Sequence, residues 1–104
     1  MNRQQQIERF TLAFHREAIR RLRDAPQLRL HALGVLDRWE AQGASAHGRY
    51  RDRWRDLLSG DVEQLEHAVC ATTDEAATLR SVSPLGFVLD DTQRLALRRK
   101  AMAE

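Results

Sequence analysis

Apolar side chains recur along this chain at spacings of three and four residues, and no stretch alternates with a period of two. Ile7, Phe10, Phe14, Ala18 and Leu22 fall on one face of a helix, which Leu12 and Ile19 widen, with Arg9, Arg16, Arg20 and Arg23 opposite. An apolar arc this wide needs neighbours on more than one side. The pattern predicts an all-α protein without a sheet, opening with a helix over residues 3–24.

Punctuation divides the rest into helices of falling length. Pro26 interrupts the first helix and is suited to open the next, expected over 26–42 with Leu28, Ala32, Val35, Leu36 and Trp39 as its stripe and Leu30 and Leu33 broadening it. Gly34 sits inside that helix at a cost of about 1 kcal/mol relative to alanine, a cost often accepted where another helix packs closely. Gly43 to Gly48 reads as a loop. A third helix over 50–58 carries Tyr50, Trp54, Leu57 and Leu58, and Ser59-Gly60 ends it with a glycine suited to a left-handed turn. Asp61 with Gln64, Thr72 with Glu75, and Asp90 with Gln93 read as capping boxes for helices over 61–71, 73–82 and 91–102. At 104 residues the expectation is a single-domain bundle of five or six helices with short loops, spanning 1–104.

Charge narrows the function classes. Residues 1–60 hold twelve arginines against seven carboxylates, residues 61–93 hold Arg80 against seven, and Arg94, Arg98, Arg99 and Lys100 follow. This predicts a basic end and an acidic end, while a net charge of +2 is too small to argue for nucleic acid alone. No apolar run is long enough to span a membrane, and the opening residues have no signal-peptide core. A lone cysteine, Cys70, gives no internal disulfide, so a cytoplasmic protein is expected.

No catalytic equipment is expected, and no metal or cofactor. Cys70 lies beside Val69 and Ala71 and reads as a buried, inert thiol; His67 three residues earlier has no companion His or Cys pair to complete a zinc set. His15 falls within the apolar arc as a packing residue, and His47 reads as a solvated loop histidine. The five glycines are scattered, so no phosphate-cradling loop is present. Carboxylate pairs Asp74-Glu75 and Asp90-Asp91 suit helix starts. A helix-turn-helix can be drawn over 61–82, but its reading helix would begin Asp74-Glu75-Ala76-Ala77 and meet phosphate with the wrong charge.

Leu79-Arg80-Ser81-Val82-Ser83-Pro84-Leu85-Gly86-Phe87-Val88-Leu89, with Arg94 five residues on, resembles a pattern in small bacterial helical proteins. There a helix ending Leu-Arg leads to Ser-Pro-Phe-Ala-Gly-Val-Leu and then an arginine. Trp39 and Trp54, each following an arginine, fit the same layout, while Leu85 and Phe87 depart from its Phe and Gly. Those proteins resemble the antitoxin-like partner of two-gene toxin–antitoxin modules. The resemblance implies a protein that binds and restrains an enzyme.

The expected function is a non-enzymatic protein-interaction module. Its partner-binding residues are Arg80, Leu85, Phe87, Val88, Leu89 and Arg94, the apolar groups anchoring and the arginines meeting acceptors. The same apolar groups could instead fold back and plug one end of the bundle. The alternative is nucleic-acid binding or regulation through Arg16, Arg20, Arg23, Arg51 and Arg55. A homodimer also fits the wide apolar first helix.

Overall fold

A computed structural model describes residues 2–43 and 48–103, which form six α-helices and one short 3-10 turn with no strand among them. They run α1 (Arg3–Asp24), α2 (Leu28–Ala41), α3 (Gly48–Ser59), α4 (Val62–Val69), α5 (Asp74–Ser81) and α6 (Asp91–Met102), with the 3-10 turn Gly86–Val88 before α6. The chain is an all-α bundle. His47 and the middle of the expected Gly43–Gly48 loop lie outside the described residues.

Helix ends follow side-chain chemistry. Asn2 and Gln5 form a reciprocal capping box on α1, and Asp90 and Gln93 form another on α6. Asp61 caps α4 through the Gln64 amide at 2.8 Å, without the return bond expected from Gln64. At α5 the cap is Thr73, not the expected Thr72: its hydroxyl accepts from the Ala76 amide at 3.1 Å. Proline does not open α2 directly; three successive i to i+3 bonds, beginning with Leu28 N to Ala25 O, tighten the chain first.

The left-handed glycine is also displaced. Gly43, after α2, takes φ of 76°, and it is the one described glycine with positive φ. Gly60 does not need that conformation because an arginine caps α3 instead. Arg29 of α2 donates to the carbonyls of Leu58, at 3.0 Å, and of Gly60.

Helix α1 lies at the centre and packs against α4, α5 and α6, while α2 packs on α3. Phe14, Ala18, Ile19 and Leu22 of α1 meet Trp54, Leu57 and Leu58 of α3, Leu65 and Val69 of α4 and Leu79 of α5 in one core. Ala32 and Leu36 add the inner face of α2. The Trp54 indole is fully buried and donates to the Leu79 carbonyl at 3.0 Å, tying α3 to α5. Basic α1 therefore lies against acidic α4, where the charge count predicted separate ends: Arg23 reaches Glu63 at 3.5 Å and Glu66 at 4.0 Å.

Candidate functional site

The segment from Ser83 to Leu89 packs against the core and sends two leucines inward. Leu85 and Leu89 are buried in the core, and Phe87 and Val88 are half-buried against it. The backbone supports this entry. Ser83 Oγ accepts from the Leu85 amide at 3.1 Å, and Val88 N donates to Leu85 O at 3.0 Å. Phe87 stacks on His31 of α2 with centroids 3.7 Å apart.

The flanking arginines serve the same closure. Arg80 is only 7% exposed, and its Nη1 donates to Val69 O at 2.6 Å and Ala71 O at 2.9 Å, capping the end of α4. Arg94 donates to Leu89 O at 3.2 Å and to Gly86 O, and its guanidinium lies 4.9 Å from the centre of the Phe14 ring. Both guanidinium groups thus meet acceptors of this chain, and Arg80, Leu85 and Leu89 expose little surface in the folded chain. Of the six residues, Phe87, Val88 and Arg94 keep part of their side chains at the surface.

The arginines of the alternative reading are mostly paired. Arg20 bridges Glu17 at 2.6 Å and Asp24 at 3.1 Å, Arg23 reaches α4, and Arg55 of α3 bridges Asp37 at 2.8 Å and Glu40 at 2.7 Å of α2. The Arg20 hydrogen bond is the main cause that holds Glu17 down at about 2. Arg51 also interacts within the chain. Arg16 makes no salt bridge among the described residues and lines an open groove between α1 and α6 with Arg9, Arg20 and Lys100, over Leu12, Ala13 and Leu97.

Beside that groove, α1 and α6 meet along an apolar edge that the core does not cover. Ile7 and Leu95 are each 49% exposed, and Met102 is also exposed. Ile7, Phe10 and Met102 line a shallow groove with Arg3, Gln6 and Arg98, and Leu95 continues the Met102 row two turns back along α6. Arg98 lies over Phe10 at 4.7 Å, so two arginines one turn apart cover two phenylalanines one turn apart. The matched spacing of Phe10-Phe14 and Arg94-Arg98 was the available signal for this pairing of helices.

No family model matches this chain, and no curated protein or solved structure matches it. Among the described residues no three His, Cys, Asp or Glu side chains gather as a metal site requires, and no helix is long and apolar enough to cross a membrane. His67 is exposed, Cys70 is half-buried, and no hydrogen bond joins them; burial, and secondly the charge of Glu66, push the Cys70 thiol up, away from a reactive thiolate.

Among the described residues His15 is the one buried side chain with an unmet polar atom. It is 3% exposed between Phe14 and Trp54, its Nδ1 donates to Thr11 O at 2.8 Å, and its Nε2 has no partner. Burial, with a smaller push from the Arg80 charge, lowers it to about 4 from 6.5. The unfolded chain then binds more protons, so the stability this neutral imidazole supports is full above pH 6.5 and is lost as pH falls towards 4. Urea unfolding should show His15 alone removing about 2 kcal/mol between pH 7 and pH 5. A His15→Phe variant should lack that component; an equal slope in both proteins would contradict it.

Proposed function

We propose that this chain is a non-enzymatic protein-interaction module whose docking face is the edge where α1 and α6 meet. The observation carrying this reading is the exposure of Ile7, Leu95 and Met102 together along that edge. Elsewhere on the described surface the exposed large apolar side chain is Leu30. Apolar groups gathered inside a polar rim mark an interface rather than scattered surface. Arg3, Arg98 and Arg99 supply the rim, so the occupant is an amphipathic segment of a partner protein with apolar anchors and acidic flanks. The resemblance of residues 79–94 to antitoxin-like proteins favours, as that partner, an enzyme which the chain restrains, in a bacterial cytoplasm.

Affinity capture from the source cells, quantified against an Ile7→Asp/Leu95→Asp variant, tests this. Both positions are half exposed, so the variant should stay folded. Wild type should retain a specific protein, and the variant should lose roughly tenfold or more of it, each anchor contributing about 1 kcal/mol or more. Equal retention by both proteins, or none by either, would contradict the reading.

A second reading, nucleic-acid binding, draws support from the groove of Arg9, Arg16, Arg20 and Lys100. Binding there should be salt-sensitive and weakened by Arg16→Glu. No retention on DNA or RNA at low salt removes it.

A further inference from the structure

The outward face of α2 is centred on Gly34. Ala32 and Leu36 on either side of it in sequence point into the core. Apart from its chain neighbours and the backbone of its own helix, no atom of the described residues lies within 4 Å of where a side chain on Gly34 would begin, so no other element packs closely there. The close packing that often accompanies such a glycine is absent among the described residues, yet the glycine still weakens the helix. One turn earlier on the same face stands Leu30, 73% exposed and the most exposed large apolar side chain described. A bare stretch of backbone beside an exposed leucine is where a second helix can approach closely.

The charges flanking that line identify the second helix. From Gly34, Asp37 lies about 60° to one side and Arg38 about 40° to the other; Leu30 shares the flank of Asp37, and His31 that of Arg38. We propose that this face binds a second copy of the chain, α2 against α2, parallel about a two-fold axis and crossing at Gly34. Two copies facing each other in the same sense set the left flank of one against the right flank of the other. Asp37 of each then meets Arg38 of the other, and Leu30 of each meets the side of the His31 imidazole that its stack on Phe87 leaves uncovered. Reversing one copy would set His31 against Arg38 and Leu30 against Asp37, losing both ion pairs. Arg38 makes no salt bridge among the described residues, so it is available. Asp37 receives Arg55 on Oδ1 at 2.8 Å, and its side chain remains 67% exposed. Such a self-complementary patch is what a two-fold interface requires. A lone helix pair buries less than the roughly 1,600 Å² of a stable complex, so dissociation in the micromolar range is expected.

Sedimentation equilibrium over a micromolar-to-millimolar concentration series tests the proposal. Gly34→Leu has open space in the monomer and should fold with no loss of Tm, while raising the dimer Kd about tenfold or more. Arg38→Glu should raise it similarly by opposing Asp37, and Ile7→Asp/Leu95→Asp should leave it unchanged. A wild-type chain that stays monomeric throughout overturns the proposal, as does a dimer indifferent to Gly34→Leu. A dimer that needs Gly34 but ignores Arg38→Glu overturns the parallel pairing on which the choice of occupant rests.

Discussion

Trp54→Ala should lower the free energy of unfolding by about 3–5 kcal/mol, enough to leave much of the chain unfolded at room temperature. Trp54 is fully buried where α1, α3 and α5 converge, beside His15, and it is the largest side chain wholly inside the core. Alanine would leave a cavity that three rigid helices cannot all collapse into. It would also remove the indole bond to the Leu79 carbonyl at 3.0 Å, leaving that carbonyl with the Val82 amide as its donor. Trp54→Phe separates these effects: it keeps most of the volume and should cost about 1–2 kcal/mol for the lost indole hydrogen bond and residual void. Denaturant midpoints of the three proteins measure both quantities. A loss under about 1 kcal/mol in Trp54→Ala would mean that the indole is not the keystone of the core.

Arg80→Met should cost about 3 kcal/mol although the aliphatic part of the side chain is preserved. The guanidinium is almost enclosed, and burial is the chief reason that its affinity for a proton falls below the usual arginine value. It still carries charge and gives charge-assisted bonds to Val69 O and Ala71 O, two carbonyls left free where α4 ends. Methionine fills the space and donates nothing, so both carbonyls become buried and unmet. Arg16→Met removes an arginine of the same chemistry that faces solvent, and should shift stability by about 0.5 kcal/mol or less. Thermal denaturation of the pair makes the comparison, and similar losses in both would refute the capping role of Arg80.

The helices were legible because each apolar stripe keeps a period of three to four and the starts of α1, α4, α5 and α6 carry a capping residue. Box chemistry is legible at Asp90 and Gln93, and Asn2 with Gln5 carries the same signal at the start of α1. What periodicity cannot give is how far along a helix the core extends. Ile7 and Phe14 occupy one face of α1, yet Ile7 is half exposed and Phe14 is buried, because the neighbouring helices cover only the later part. Charge counting fails for a related reason. Arg29, Arg80 and Arg94 look like surface cations, and their carbonyl partners lie 29 and 31, 11 and 9, and 5 and 8 residues away, where spacing rules do not reach. The apolar run after Pro84 was visible, but a run cannot distinguish a plug from an interface. Burial of Leu85 and Leu89 makes that distinction, and it moves the candidate surface to the α1–α6 edge.

The closure of the bundle by residues 83–89 is tested most directly by equilibrium urea unfolding of Leu85→Ala. Leu85 has no exposed surface. Its truncation should lower the unfolding free energy by about 2–5 kcal/mol with an unchanged m-value. A change of about 0.5 kcal/mol or less, typical of surface substitutions, would show that this leucine is free for a partner and contradict the account.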